Sequence, residues 1–578
     1  MGKTHSNFCY RMKKQIQKIV KNALIEAKKT HNWPASSADG SDFELPASSA
    51  DKPEIIIDYP KSEQFGDYSC NIAMVLAKKV GKSPMEIAEQ IAELLNGYVA
   101  EGAPSSGPMG HLLPEGEGEL SKTFKKIEVA APGYLNFYLS KKYLQDLVLK
   151  IATEKNNFGN SKIGDGIKVN NEFISANPTG PLTVGNGRGG FYGDSLSKIL
   201  RKAGFAVTNE YYVNDAGGQV LKLGHSVLKD EEATYAGEYI DELNAKYASL
   251  GDVFEVGKKS AKEILENIIK KTASEKMHIS FDVWMSEQRL NDEGYDQRAI
   301  ETLKQKGLTY EAEEAVWLKT SQFGDDKDRV LIKKDGKNAY IAGDCGYMLS
   351  KMERGFDRIL ISLGADHHGY VSRLTAVAKA LGFAGQFKVS ISQLVRITKD
   401  GKEVRMSKRA GNVVYMDELI EEIGHDVTRF FFLLYSPDTH MNFDLELAKE
   451  HSAKNPVFYV QYAHARICSI LGKIQDTRYK IQNADLALQV NEKELSLIKE
   501  LNNFPQLVEI VAETYEVNKL AHYAIKLADK FHSFYGACKV IDEQNPELSG
   551  ARLALINAVR IVLAQTLDLI GVEAPEKM

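Results

Sequence analysis

The run FISANPTGPLTVGNGRGGFYGDSL, Phe173 to Leu196, constrains the fold of this chain more than any other stretch. It opens on apolar residues that suit a buried strand, passes through a glycine-rich turn and goes on with the periodicity of a helix. Lys168–Ser175 reads as that strand, Arg188–Ala203 as the helix, and Phe205–Val213 as a second strand. A strand, a crossover helix and a strand make a βαβ unit, so a parallel sheet is expected. A turn that leads from a strand into a helix N-terminus also gathers free backbone N–H groups and the positive end of the helix dipole. That is a seat for phosphate.

Gly185, Gly187, Gly189, Gly190 and Gly193 are dense enough to let backbone approach a ligand. Close helix–strand packing is the other use of such glycines. No G-K-[ST] follows, so this is not a Walker loop, and G-x-G-x-x-G with a downstream acid is not matched either. Far downstream lies VRMSKRAGN, Val404 to Asn412. Its Arg405, Lys408 and Arg409 could clamp a triphosphate and stabilise charge as pyrophosphate departs. A solvated basic turn is the bland reading of a lone RMSKR, and the glycine-rich companion shifts the balance toward a nucleotide.

The length implies several domains, because single cores stop growing near ~250–300 residues. The formal net charge of −5 excludes a wholesale polycation, yet local basic faces suffice for a nucleic-acid partner. Cys9, Cys70, Cys345, Cys468 and Cys538 lie far apart with no C-x-x-C pair, which argues against a zinc site and for reduced thiols in a cytoplasm. No apolar run approaches the ~20 residues of a membrane span. Arg11 to Lys29 is basic, but Ile16, Ile19, Val20, Ala23 and Leu24 recur at helical spacing, so it reads as an amphipathic helix and not a signal peptide.

Residues up to about Ser140 form a small α+β region with strands at Ile55–Ile57 and around the Pro-Gly turn of KIEVAAPGYLNFYL, and helices at Asn71–Lys79 and Pro84–Leu95. Two insertions of small polar residues interrupt it, near 34–52, where PASSAD occurs twice, and near 103–118. Residues 219–305 read as a charged helical insertion into the sheet, whose signals resume at Arg329–Ile332 and Arg358–Leu363, with a helix at Val371–Leu381. After about Asp417 everything reads helical. Ala453–Leu471, Glu494–Val511, Asn518–Phe534 and Ala551–Leu569 have the lengths and periodicity of a bundle.

At this point a resemblance becomes specific. SANPTGPLTVGNGRGG resembles the HIGH signature of class I aminoacyl-tRNA synthetases in the form it takes in the arginyl-tRNA synthetase family, and RMSKR resembles that family's KMSKS loop. YVNDAGGQ, DVWMSEQ, YIAGDCGY, GADHHGY, NPVFYVQYAHAR and the ending LIGVEAPEKM stand in the family's order, and GDYSCNIAMVLAK and APGYLNF resemble its extra N-terminal domain. The resemblance covers nearly the whole chain. It implies an N-terminal α+β domain over 1–140 and a linker over 141–165. A Rossmann-like parallel-sheet catalytic domain follows over 166–400, then a KMSKS-type loop and connector over 401–450. An all-α anticodon-binding bundle occupies 451–578.

The resemblance also implies a reaction. ATP and L-arginine give arginyl-adenylate and pyrophosphate, and the arginyl group then passes to the terminal adenosine of tRNA-Arg. Mg2+ accompanies ATP, no zinc is expected, and the family typically needs bound tRNA for the first step. Catalytic positions fall on Thr183, Asn186, Arg405 and Lys408. The nucleotide falls to Gly180, Pro181, Gly185, Gly187, Gly364, Asp366, His368, Met406 and Ser407, and arginine to Ser175, Asn177, Glu287, Tyr340 and Asp344. A guanidinium needs carboxylates placed against its fork of donors. A helix through this segment puts Tyr340 one turn before Asp344. His367, beside His368, contacts ATP or simply orients the loop. Tyr134 and Asn136 match where the family reads a base of the tRNA elbow. Tyr459, Gln461, Tyr462 and Arg466 mix aromatic, amide and cation on one helix near the anticodon, and Met578 ends the chain there. A monomer in the cytoplasm, with no DNA or membrane partner, completes the expectation.

One departure stands out. Where the family carries two histidines, this chain has Thr183 and Asn186. Both side chains donate hydrogen bonds, without the charge of an imidazolium. Losing one charge-assisted donor costs ~1–3 kcal/mol of transition-state stabilisation. A compensated natural variant, an impaired enzyme and a deliberately altered chain all fit, and the complete RMSKR favours the first. The competing readings are a weakened synthetase-like protein that binds tRNA or arginine without charging, and a nucleotidylyltransferase, which predicts no helical C-terminal bundle.

Overall fold

The computed structural model describes residues 10–31, 33–34, 55–60, 62–101, 120–367, 369–399, 401–403, 414–474 and 484–578. His368, Arg405, Met406, Ser407 and Lys408 lie outside the described residues, as do nearly all of the two insertions expected near 34–52 and 103–118. The chain divides into two compact units, Met1–Asn160 with Arg466–Leu507 and Leu527–Val562, and Ser161–Ala465 with Val508–Lys526 and Leu563–Met578.

In the first unit, Ile57–Asp58, Tyr68–Cys70, Tyr134–Leu139 and Phe124–Ala130 pair antiparallel in that spatial order. The helix Tyr10–Thr30 buries Met12, Ile16, Ile19, Val20, Ala23, Leu24 and Ala27, the stripe that its amphipathic spacing predicts. Helices Ile72–Val80 and Pro84–Glu101 complete the α+β region. Late in the chain come helices Glu492–Thr514, Asn518–Ala537 and Pro546–Leu569. The last corrects an expectation, since by length and composition it could cross a membrane, and 78% of its most apolar stretch is buried inside the protein. Such burial is that of a core helix.

The second unit is built on a five-stranded sheet in the order Gln386–Ser392, Arg358–Gly364, Lys168–Glu172, Ala206–Val213, Val283–Ser286. All four pairings are parallel, with Ile361 beside Glu172 and Glu172 beside Glu210. Helix Val184–Lys202, here the signature helix, crosses from the first strand to the second. The chain winds one way from Lys168–Glu172 to Val283–Ser286, then resumes on the other side at Arg358–Gly364. Ligands of open α/β sheets lie at such a reversal, beyond the carboxyl ends of the strands.

Several boundaries differ from expectation. The first strand ends at Glu172 instead of Ser175, because Ile174 and Ser175 turn into left-handed backbone at φ +67° and +42°. The glycine-rich stretch is not a loop but the first turns of the signature helix. Val283–Ser286 is a sheet strand inside the stretch expected to be helical. Arg329–Ile332 belongs to a separate antiparallel sheet with Ala315–Leu318 and Thr309–Ala312. Met441–Asp444 is a strand, parallel to Val395–Lys399, in a region expected to be wholly helical. It alternates buried Met441 and Phe443 with exposed Asn442 and Asp444, a period-2 pattern too short to register against its helical neighbours.

Candidate active site

The signature helix begins with a reciprocal cap. Thr183 N–H and Oγ–H both donate to Asn186 Oδ1 at 2.9 Å, and Thr183 Oγ accepts from Asn186 N–H at 3.4 Å. The two residues that replace the expected histidines thus form a capping box. Among the described residues, Gly185 N–H and Asn186 Nδ2 have no hydrogen-bond partner. These are the donors that the cap leaves over for an anion at the helix N-terminus.

The glycines divide by use. A Cβ on Gly193 would stand 2.2 Å from the Phe173 ring, on Gly190 2.9 Å from Ile174 and Met277, and on Gly187 2.0 Å from Met416 Sδ. They let the helix sit close to its neighbours. Gly185 is exposed, and its Cβ would meet nothing nearer than Thr183 Oγ1 at 3.6 Å. The approach to Thr183 is held by Tyr211, whose hydroxyl accepts from Ala176 N–H at 3.1 Å and donates to Ala176 O at 2.9 Å. Ser175 Oγ donates to Glu172 Oε1 at 3.2 Å and accepts from Tyr212 N–H at 3.0 Å. These bonds hold two non-glycine residues in left-handed backbone, a conformation that costs ~1–3 kcal/mol each and clusters at functional sites. Asn177 is exposed, and a Cβ on Gly180 would stand 3.0 Å from the Tyr239 hydroxyl.

The other wall is a pocket of acids. Helix Tyr340–Glu353 aligns Tyr340, Asp344, Tyr347 and Lys351 along one stripe. Asp344 Oδ2 is buried without a partner. Burial pushes the Asp344 carboxyl up to about 7, against the pull of Arg373, with Glu172 and Asp296 adding to the rise. Burial also lifts Glu287 to about 7, helped by Asp215, Asp344 and Asp296. Asp296 rises for the same reason, and its Oδ1 is likewise unpartnered. The Asn214 amide, with its NH2 turned toward the acid, donates to Glu287 Oε2 at 2.6 Å. Tyr340 is 68% exposed at the mouth, near enough that Glu287 and Asp344 raise its phenol beyond the effect of burial. Carboxyls raised by burial, and for Glu287 and Asp344 also by neighbouring acids, suit a cation brought by a ligand.

Beneath the pocket lies a satisfied network. Lys351 Nζ is 2.8 Å from Glu172 Oε2 and 3.0 Å from Glu210 Oε1, and Arg354 pairs with Glu210. The Tyr347 hydroxyl is 2.9 Å from Glu172 and 2.5 Å from Glu210, and its ring stacks on Tyr212. Asp296 and Arg373 fall outside every motif of the sequence, whereas Asn214 and Asp215 lie within YVNDAGGQ, which gives them a place in the order of motifs but no role. The role of Asp215 emerges in three dimensions, where its carboxylate caps the helix that starts at Glu287, accepting from Ser286 Oγ at 2.6 Å and Gln288 N–H at 3.0 Å.

At the reversal point, Gly364 and Asp366 are exposed, with Asp366 Oδ2 3.4 Å from His367 Nε2. Main-chain bonds join the exit of the RMSKR stretch to the signature helix, with Val184 N–H to Val414 O at 3.1 Å and Met416 N–H to Leu182 O at 2.8 Å. Among the described residues no group of three or more His, Cys, Asp or Glu is placed to hold a metal ion.

The expected tRNA residues are less uniform. Tyr134 is exposed, but Asn136 is enclosed, its Oδ1 accepting from Ser69 Oγ at 2.8 Å. The pair is therefore not presented together, because a buried amide is better satisfied within the sheet than left to a visiting base. On helix Pro456–Gly472, Tyr462 is exposed and stacks on Phe458, Tyr459 is half-buried, and Arg466 lies over the Tyr535 ring. Gln461 Nε2 donates to Asp426 Oδ2 at 2.8 Å and Glu573 O at 3.0 Å, so it ties the C-terminal segment down. Met578 is exposed.

Comparison with known proteins covers almost the whole chain. Family profiles described as arginyl tRNA synthetase N terminal domain, tRNA synthetases class I (R) catalytic domain and DALR anticodon binding domain match residues 14–108, 148–431 and 460–578. A protein of Anoxybacillus flavithermus named arginine–tRNA ligase is 43% identical over 92% of this chain and 96% of its own. One of the same name from Shouchella clausii is 38% identical over 99% and 100%. The crystal structure of a putative arginyl-tRNA synthetase from Campylobacter jejuni matches with a TM-score of 0.70 and 34% identity, over 76% of this chain and 100% of that one. The arginyl-tRNA synthetase of Thermus thermophilus shares the fold at a TM-score of 0.73 and 20% identity, over 98% and 100%.

Proposed function

The chain belongs to the arginyl-tRNA synthetases of class I, and we propose that its acid pocket takes the side chain of L-arginine beside the phosphate seat of the signature helix. It is an arginine–tRNA ligase. The observation that carries the pocket is the pair Glu287 and Asp344, both half-buried, with Asp344 Oδ2 buried and unpartnered. A guanidinium supplies the positive charge and the fork of donors that these groups lack.

The arginine carboxylate attacks the α-phosphate of ATP, the bond to the β-phosphate oxygen breaks, and arginyl-adenylate and pyrophosphate form. A ribose hydroxyl of the terminal adenosine of tRNA-Arg then takes the arginyl group and AMP leaves. Glu287 and Asp344 hold the guanidinium, Tyr340 covers it, and Ser175 and Asn177 border the amino-acid end. Gly180, Pro181, Gly185, Gly187, Gly364 and Asp366 line the nucleotide. Gly185 N–H and Asn186 Nδ2 donate to its phosphates, with Thr183 fixing Asn186 in place. Arg405, Lys408, Met406, Ser407 and His368 complete this reading on resemblance alone. Mg2+ enters as the metal of the ATP substrate, and the protein works as a monomer in the cytoplasm. Tyr134, Tyr459, Tyr462, Arg466 and Met578 face the tRNA, and Asn136 and Gln461 support them from within.

A weakened protein that binds without charging is not favoured, since relatives named as ligases match along nearly the whole chain. The deciding assay is charging of total tRNA across the amino acids, with pyrophosphate exchange measured with and without tRNA. Arginine-specific charging supports the assignment. Absence of adenylate with tRNA present overturns it.

A further inference from the structure

The signature helix carries, in its second turn, a buried arginine whose role is not explained by phosphate binding. Arg188 is 2% exposed. Its Nη1 donates to Gln393 O at 2.8 Å, and its Nη2 to Ser436 O at 2.8 Å and Thr439 O at 2.7 Å. Among the described residues no carboxylate lies within ion-pair reach of it. Burial pushes its guanidinium down to about 10, with Asp438 pulling weakly the other way. A buried charge met only by neutral carbonyls is poor stabilisation, and an apolar residue of similar volume often serves a core better. The residue is better understood by what it holds.

Gln393 and Leu394 connect the edge strand Gln386–Ser392 to Val395–Lys399, and Ser436 to Thr439 lie just before Met441–Asp444. Gln393 N–H donates to Pro437 O at 2.8 Å and Met441 N–H to Leu394 O at 3.2 Å, so the two turns are bonded to each other. The strands they introduce pair in parallel, and Val395–Lys399 pairs with Lys402–Glu403 at the threshold of RMSKR. The far end of that stretch returns to the signature helix through the Thr183–Tyr415 bridge and its flanking bonds. The exit of the cationic segment is therefore bonded directly to the start of this helix by main chain, and its approach is held indirectly, through Arg188's hold on the two turns that lead into Val395–Lys399 and Met441–Asp444.

We propose that Arg188 is a positioning residue for adenylate formation, setting the entry of the RMSKR segment relative to the Thr183–Asn186 helix terminus. The inference rests on the ligase reading. It predicts a split that a merely structural arginine would not produce, because the acid pocket lies on other elements and is not tied to the clip.

The test uses the full chain, pyrophosphate exchange with saturating tRNA, and titration of active sites by adenylate burst. R188M is expected to lower kcat per active site roughly 10- to 100-fold, the penalty of a small misplacement, and to raise KM for ATP. KM for arginine stays within about twofold, and R188K, which keeps the charge and donors, recovers part of kcat. If R188M does not fold, R188K decides, with a lowered kcat per site at unchanged arginine KM as the supporting result. A kcat per site equal to that of the unaltered chain in either variant overturns the inference alone. Absence of exchange in the unaltered chain overturns the ligase reading and the inference with it.

Discussion

Thr183 and Asn186 hold each other. The Thr183 amide and hydroxyl converge on one oxygen of Asn186, which leaves the Asn186 NH2 as a fixed, uncharged donor at the helix terminus. Thr183→Ala should cost about 1 kcal/mol of stability, as loss of an N-cap does, and also lower kcat for exchange, whereas Thr183→Ser should be close to neutral in both. Asn186→His should introduce a fall in activity with an inflection near the imidazole range that the unaltered signature lacks. Thermal melts and pH–rate profiles check these outcomes.

Asp344→Asn and Glu287→Gln each remove a charged partner for the substrate guanidinium. A charge-assisted hydrogen bond is worth ~1.5–3 kcal/mol, so arginine KM should rise about 10- to 100-fold while ATP KM stays near its original value. Steady-state exchange with each substrate varied in turn separates the two.

Both pocket carboxyls sit near 7 in the unliganded protein, well above their ordinary range. Arginine needs them ionised, so its affinity should strengthen from pH 6 to pH 8 and binding should release protons. The folded protein holds these protons more tightly than the unfolded chain, so their contribution to stability falls as pH rises from the carboxylate range through about 7. The arginine-induced rise in Tm should therefore grow with pH. Calorimetry in buffers of different ionisation enthalpy measures the protons, and no release at pH 6.5 would contradict the scheme.

Lys351 is 1% exposed between Glu172 and Glu210. Lys351→Met leaves two buried carboxylates to Arg354 and Tyr347, and should destabilise the second unit by about 3–5 kcal/mol. Calorimetric unfolding should show the transition of that unit moving down.

Gly193→Ala and Gly185→Ala should act oppositely. The first drives a methyl into Phe173 and should cost about 1–3 kcal/mol. The second meets open space and should gain up to ~1 kcal/mol of helix propensity. If phosphates approach this turn, Gly185→Ala should nevertheless raise ATP KM, which links a stability gain to a binding loss.

The sheet and its crossover were legible because Lys168–Glu172, the signature helix and Ala206–Val213 follow one another without interruption. Val283–Ser286 and Met441–Asp444 were not, since four residues display too little alternation to stand against helical surroundings. Glu287, Tyr340 and Asp344 were reached through ordered motifs. Asp296 and Arg373 owe their place in the site to tertiary folding, and no local spacing marks them, while Asp215 stands in an ordered motif that does not reveal its capping role. The glycines looked alike in sequence, and only the neighbours of each distinguish Gly193, which admits Phe173, from Gly185, which faces open space.

The second unit is not a continuous piece of chain. Tyr192 bonds Tyr515 O at 3.1 Å, and Arg429 bonds Ile570 O and pairs with Asp194 of the signature helix. Gly571 has no room for a side chain because the Arg429 guanidinium occupies that space. A fragment cut before the last helices would strand these arginine and tyrosine groups inside a core with their acceptors missing. Splitting the gene at the apparent motif boundaries therefore yields no self-sufficient half, and only re-linking that carries 508–526 and 563–578 along preserves the catalytic unit.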